Sequence, residues 1–286
     1  MWNFDRKPRR DLAGVSLDDV YFPLGRPERL AGGRVADLGR DDHLVMRPGT
    51  GLWTSLGRGV RAKLSIAIVE PKALHRRHML FSRLVHRRFH RILTCNEDLL
   101  KSVPNGVYFP FGGTWVPEWC ELDLTKSREI SLIASAKRDL IGHKLRHEMA
   151  DWIKTSGAAN DIDVIGGGYK PFDRKAEGLA SYRYSLVIEN VQERSYFTEK
   201  LIDAFLCRTV PIYWGAPDIA DFFDPAGMIV CNTADDLKAA ISRAGPEDYG
   251  ARQGAMARNL ERAIPFTDVH LRLARAVINP SRIANP

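Results

Sequence analysis

The chain has 286 residues, of which 44% are hydrophobic, 27% charged and 9% aromatic. That is a globular composition at about twice the ~150 residues of a typical domain, which excludes a disordered tail, a collagen-like fibre and a disulfide-stapled miniprotein. Lys and Arg number 42 against 35 Asp and Glu, and the net charge of +7 favours anionic partners such as nucleic acid, phospholipid or a phosphorylated small molecule.

One large or two modest domains fit this length, and either hides roughly 75% of the unfolded surface. No apolar run approaches the ~18 residues of a membrane span. The opening Met1-Trp2-Asn3-Phe4-Asp5 does not read as a signal peptide, and none is expected. Cys95, Cys120, Cys207 and Cys231 form no CxxC pair, which implies free thiols in a reducing cytosol.

In chain order, residues 1–60 are rich in Gly, Pro, Arg and Asp and read as loops with short strands. Lys63 to Val69 is a buried-strand pattern closed by Glu70-Pro71. From His75 to Arg91 come six arginines and four of the eight histidines, with no acid. Met79, Leu80, Leu84 and Val85 interleave with them at helical spacing, so this is a cationic amphipathic helix. Three readings stand: a solvated face, a membrane-surface patch, or an electrostatic wall facing an anionic substrate. Arg91 to Cys95 follows as a strand and Val107 to Phe111 as another.

The spacing predicts a strand over Ile130–Ala134 and a helix over His143–Lys154, whose buried stripe is Leu145, Met149, Trp152 and Ile153. Further strands are expected at Asp161–Ile165, Tyr184–Ile188, Val210–Trp214 and Met228–Val230, with an amphipathic helix over Thr198–Cys207. Strands separated by helices imply βαβ crossovers and a parallel sheet covered on both faces. Pro117 and neighbouring charges break the pattern near Trp115–Lys126. The expected organisation is therefore two α/β domains, residues 1–125 and 126–286, with ligands bound in a cleft beyond the carboxyl ends of the strands.

The stretch Tyr182 to Pro217 carries the most chemistry. A strand ends in Glu189-Asn190, and Ser195 and Thr198 offer caps for the next helix. Tyr196, Glu199 and Lys200 share a face if that first turn is helical. Lys200 at a helix amino end adds charge to an end that already carries roughly +0.5. Either Glu199 offsets it, or the helix end and Lys200 form a phosphate seat, with Tyr196 against the same ligand and Glu199 accepting from sugar hydroxyls.

These residues resemble glycosyltransferase family 10, the α1,3-fucosyltransferases: an apolar strand, Glu189-Asn190, a short loop, Tyr196-Phe197-Thr198-Glu199-Lys200, then Val210-Pro211-Ile212-Tyr213-Trp214-Gly215. The match is strong over about 35 residues and looser over residues 130–230. The resemblance implies a GT-B-like fold of two Rossmann-like domains, the C-terminal one holding the donor. It implies an inverting fucosyltransferase using GDP-fucose, with Arg and Lys neutralising the diphosphate and no obligatory metal or other cofactor.

It also turns Arg146, otherwise a surface arginine, into a donor-phosphate ligand, because a guanidinium bonds two phosphate oxygens at once. Lys137 and Arg138 are weaker candidates for that role. Asn190, Tyr196, Glu199 and Lys200 complete the implied donor site. The implied base is Glu70, although Pro71 follows it where better-known members carry Asn. Otherwise Glu70 caps the following helix, and Glu97 and Asp98 are fallbacks.

Other signals point elsewhere. Asp161-Ile162-Asp163 spells a metal-binding DxD but sits at a strand start, Pro171 spoils a GxGxxG at Gly166, and His143 with His147 lacks a third ligand. No metal site is expected. Trp214 reads as packing. No RNP, zinc-finger or KH signature suggests a nucleic-acid partner. The expected partners are a nucleotide-sugar donor and a glycan or glycolipid acceptor such as lipopolysaccharide, with the chain in the cytoplasm or peripheral at the inner face of an anionic membrane. The alternatives are another nucleotide-sugar donor or a non-catalytic basic polyanion-binding module.

Overall fold

The computed structural model describes residues 11–49, 58–157 and 162–279. Contacts divide them into two units, one running to Pro110 and resuming at Asp268, the other spanning Phe111–Thr267. The sequence pattern put the division at 125/126, where Pro117 breaks the periodicity. The chain is committed to the second unit earlier because Gly112 bridges to Thr198, and Thr114 Oγ1 and Trp115 N donate to Asp203.

The first unit is a four-stranded parallel sheet in the order β1 (His43–Met46), β2 (Lys63–Ile68), β3 (Arg91–Thr94) and β4 (Gly106–Tyr108). Ile66 and Ile92 are paired across β2 and β3, and both are fully buried in a core with Leu44, Met46, Ile68 and Leu99. Helix α1 (Lys72–Val85) is the cationic helix, which a 3-10 turn at His86–Arg88 ends before β3. Helix α2 (Glu97–Ser102) is capped by Asn96, which accepts from Leu99 N at 3.0 Å. The last helix, α7 (Val269–Ile278), returns to β1 and β3. Arg272 anchors it, donating to Pro110 O at 2.8 Å and lying 4.7 Å over the Phe109 ring.

The second unit is a five-stranded parallel sheet in the order β6 (Ile162–Ile165), β5 (Arg128–Ile133), β7 (Tyr182–Ile188), β8 (Val210–Trp214) and β9 (Ile229–Val230). The chain winds outward from β5 in one direction to β6 and in the other to β7. Helices α3 (Ile141–Thr155) and α4 (Glu199–Leu206) make crossovers, and ligands of such sheets collect at that reversal, beyond the carboxyl ends of β5 and β7. Helices α5 (Ala234–Arg243) and α6 (Pro246–Ala263) complete the unit. Their starts are written in the sequence: Thr233 and Asp236 form a capping box, and Pro246 occupies the first turn of α6. Phe197, Phe222, Phe223 and Phe266 pack edge-on or tilted around one point of the core.

The two discounted motifs have structural explanations. Asp163 pairs with Arg128 at 2.8 Å and accepts from Tyr182 OH at 2.9 Å, while Asp161 lies outside the described residues. Gly166 has φ +115°, and a Cβ there would sit 2.4 Å from Ala134 O, so glycine serves a close backbone approach. Trp214 is buried and donates to Asn232 O at 3.0 Å.

In α1, His75 is turned inward beside His78, with ring centroids 5.1 Å apart, and its buried Nδ1 has no hydrogen-bond partner among the described residues. Burial, helped by His78 and Arg47, holds its pKa down to about 4 from 6.5. The folded chain keeps this imidazole neutral while the unfolded chain takes up a proton, so its contribution to stability is lost as pH falls from 6.5 toward 4 and levels off below. Thermal unfolding between pH 7 and pH 5 should show a steeper fall of Tm in wild type than in His75→Gln; parallel curves would contradict this.

Candidate functional site

Strand β7 is buried along nearly its whole length and delivers Glu189 and Asn190 to its carboxyl end. Glu189 has no solvent exposure. Its Oε1 accepts from Thr198 N and its Oε2 from Thr198 Oγ1, both at 2.8 Å. A carboxylate buried this way is tolerable only with partners, and Thr198 supplies two donors. Thr198 is also the N-cap of α4, accepting from Lys200 N at 3.3 Å. One buried acid thus fixes where α4 begins.

Two close approaches support the arrangement. A Cβ on Gly142 would lie 1.8 Å from Glu189 O, and one on Gly215 would lie 2.8 Å from Glu189 Cγ. The first lets the amino end of α3 press against the end of β7, where Gly142 N donates to Asn190 O at 3.0 Å. The second accounts for the glycine five residues after Val210.

Arg146 is buried, not a surface residue beside the apolar stripe of α3. Its Nε donates to Ile188 O at 2.9 Å, and its Nη2 to Ile188 O and, at 3.0 Å, to Asn190 Oδ1. Burial pulls its pKa below the ordinary value, and Glu189, Glu199 and Tyr196 oppose that pull. Asn190 in turn donates through Nδ2 to Tyr196 OH at 3.5 Å. Tyr196 lies ahead of α4 rather than on its first turn, because Thr198 caps the helix at Glu199. Ser195 is no cap: it has φ +58° and is held by Asp218, to which its N and Oγ donate at 2.8 and 3.0 Å.

Lys200 Nζ donates to Thr198 Oγ1 at 3.0 Å and Glu199 Oε1 at 3.2 Å, and stands 3.6 Å from Glu189 Oε2. Its side chain is 24% exposed, so it remains open to solvent. Burial works against its charge but is outweighed by Glu199 and Glu189, and its pKa rises. The nearby positive charge of Arg146 also acts on it, so the two cations flank one region. Glu199 is depressed to about 2: burial alone would raise it, and Lys200 and Lys175 more than reverse that. It stays a carboxylate throughout the neutral range.

Lys175 and Asp203 escaped the sequence reading. Lys175 Nζ lies 2.7 Å from Asp203 Oδ2, 3.9 Å from Glu199 Oε1 and 5.2 Å above the Trp115 ring. Asp203 is fully buried and accepts from Thr114 Oγ1 at 2.5 Å. A cavity of about 520 Å³ opens beside this group, lined by Trp115, Phe172, Arg174 and Lys175 among others. The only sequence signal was the acid inside the apolar helix Thr198–Cys207, since a buried Asp calls for a cation. Lys137 and Arg138 are exposed. Glu70 stands just past β2 in the first unit, and Asp98, on α2, meets Lys72 at 3.1 Å.

Several solved structures share this fold. A crystal structure of an α1,3-fucosyltransferase with GDP matches over 82% of this chain and 78% of that one, at TM-score 0.50 and 18% identity. A trehalose-phosphate synthase (UDP-forming) from Burkholderia vietnamiensis matches over 87% and 76%, at TM-score 0.60 and 9% identity. The fold is that of the GT-B glycosyltransferases, with two α/β units built on parallel sheets.

Within it, residues 128–241 match the family model "Glycosyltransferase family 10 (fucosyltransferase) C-term", and this segment is a family 10 domain. The chain is 38% identical over 91 residues to an α-(1,3)-fucosyltransferase of Helicobacter pylori, covering 29% of this chain and 19% of that protein. It is 35% identical over 81 residues to an α-(1,4)-fucosyltransferase of Arabidopsis thaliana, covering 27% and 20%. The matched segments thus span about a fifth of the length of these curated relatives.

Removing Asp203 strands the ammonium of Lys175, whose side chain is only 9% exposed. Breaking a buried pair from one side costs about 3–5 kcal/mol. Chemical denaturation of Asp203→Ala should show a loss of that order, with Asp203→Asn losing less. A loss below ~1 kcal/mol in the alanine variant would contradict the role given to this pair.

Proposed function

We propose that the chain is an inverting fucosyltransferase that moves fucose from GDP-fucose to a hydroxyl of a glycan. The observation that carries this reading is the pair of cations beyond β7. Arg146 is committed through Nε and Nη2, and its Nη1 has no hydrogen bond among the described residues. Lys200 makes two hydrogen bonds, while Glu189 at 3.6 Å lies beyond bonding distance, so one N–H remains for an incoming anion. Carboxylates and carbonyls hold both cations in place before any ligand arrives, so little reorganisation is needed when charge develops. The family 10 domain in residues 128–241, and the GDP in the related fucosyltransferase structure, support GDP as the anion.

In this mechanism the second unit, Phe111–Thr267, is the donor domain. Arg146 and Lys200 take the diphosphate oxygens, Asn190 and Tyr196 hold nucleotide or sugar, and ionised Glu199 accepts hydrogen bonds from donor hydroxyls. The acceptor oxygen attacks the anomeric carbon from the face opposite GDP. As the new C–O bond forms, the bond to the β-phosphate oxygen breaks and its electron pair leaves with GDP. The acceptor proton passes to Glu70, the base, which belongs to the first unit. The two cations meet the developing charge without an obligatory metal. The acceptor would be a glycan or glycolipid of the lipopolysaccharide type, met in the cytoplasm or at the inner face of the membrane.

Charge-assisted hydrogen bonds contribute about 1.5–3 kcal/mol each. GDP titrations should therefore show Lys200→Ala and Arg146→Lys binding roughly 10- to 100-fold more weakly, with thermal unfolding confirming that each variant is folded. Wild-type affinity in both folded variants would remove the donor-site assignment. Glu70→Gln should leave GDP affinity unchanged and lower the transfer rate roughly 10²- to 10⁴-fold; an unchanged rate would exclude Glu70 as the base.

A further inference from the structure

The first unit carries an outward surface that neither its core nor the donor chemistry uses. On α1, Met79 and Ser82 are buried, while Leu80 and Leu84, one turn apart on the opposite side, are 56% and 72% exposed. Leu74 and Phe81 extend this face. Large apolar side chains grouped on one exposed helix face mark a contact surface more often than chance exposure does. Arg76 and Arg77 are on the same helix, and Arg87 and Arg88 follow in the 3-10 turn. All four are exposed, and none makes an ion pair among the described residues.

Beyond the end of α1 lies a cavity of about 490 Å³ lined by Arg61, Lys63, Arg87, Arg88, Phe89 and His90, together with Val60, Ala62 and Leu64. No carboxylate lines it. Lys63 and Arg91 begin β2 and β3, so the cavity sits at the amino ends of the strands, the opposite end of the sheet from Glu70. Asp41, fully exposed, stands 3.9 Å from Lys63 Nζ, and Asp42, which acts on His43, is already paired with Arg29. The His90 ring meets His43 edge-on at 4.9 Å. His43 Nδ1 and Arg91 Nε are buried without hydrogen-bond partners among the described residues. Burial lowers the pKa of both histidines, and Lys63 and Arg91 add to the effect, while Asp42 opposes it at His43 and the Val277 backbone opposes it at His90.

We infer that α1 and the adjoining Arg61, Lys63, Arg87, Arg88 and His90 cavity dock the first unit onto an anionic phospholipid surface, with the cavity taking a headgroup phosphate. Leu80 and Leu84 enter the headgroup–acyl boundary, and the flanking arginines keep their guanidinium groups at phosphate level while their stems lie against the apolar strip. A soluble phosphorylated ligand would use the cavity but leave the leucine face unexplained, and a purely apolar partner would leave four arginines uncompensated. This deepens the peripheral placement within the proposed function, and it does not depend on the donor chemistry.

The test is co-sedimentation of the full chain with vesicles of phosphatidylglycerol mixed with phosphatidylcholine, against vesicles of phosphatidylcholine alone. The mixed vesicles should bind at least roughly tenfold more strongly, and Arg87→Ala/Arg88→Ala should lose roughly tenfold or more of that binding. Leu80→Ser/Leu84→Ser should also release the chain, including at high salt, where charge attraction is screened. GDP affinity measured on both double variants should equal that of wild type, so failure here is distinguishable from failure of the donor site. Equal binding to both vesicle types, wild-type binding by either double variant, or binding of inorganic phosphate without any partition onto vesicles would each overturn the inference.

Discussion

Glu189 buries a carboxylate at the end of the strand on which the second unit is centred, and the local structure follows from satisfying it. Two hydrogen bonds from Thr198 set the start of α4, and Lys200, on the first turn of that helix, is drawn to within 3.6 Å of the same acid. A lysine at a helix amino end is unfavourable by itself. Here the negative charge of Glu189 and Glu199 reverses the balance, so the helix begins with a fixed, partly exposed cation. Arg146 reaches the same region from α3, held by the last carbonyl of β7.

A second ion group extends the first. Glu199 is shared between Lys200 and Lys175, and Lys175 passes the connection to buried Asp203, which ties in Thr114 and the Trp115 backbone. Three cations and three carboxylates are thus interleaved over a sheet reversal. Groups so arranged resist rearrangement, because moving one uncovers a charge in a poorly solvated place. Rigidity of this kind suits a site that must meet charge already oriented.

Much of this was legible in the sequence. The apolar runs of β2, β3, β5, β7 and β8 are continuous because parallel strands are covered on both faces, and their boundaries fell within a few residues of the observed ones. Arg146, Asn190, Tyr196, Glu199 and Lys200 were named from one motif and one helix, and they lie around the end of β7. What local pattern could not give is long-range. Lys175 meets an acid 28 positions later, and Thr114 one that lies 89 positions away. Arg146 looked like a surface residue because helical periodicity ranks side chains by polarity, whereas its burial is made possible by a carbonyl acceptor on another element. The return of α7 to the first unit rests on Arg272 and the Phe109 ring, a contact invisible to any window of neighbouring residues.

The proposed donor site is two cations, Arg146 and Lys200, set by neighbouring acids and carbonyls to share one anion. A crystal structure of the chain soaked with GDP tests this most directly. Its β-phosphate oxygens should lie within hydrogen-bonding distance of both Lys200 Nζ and Arg146 Nη1, with the Glu189–Thr198 bonds intact. GDP bound away from the end of β7, or touching neither side chain, would contradict it.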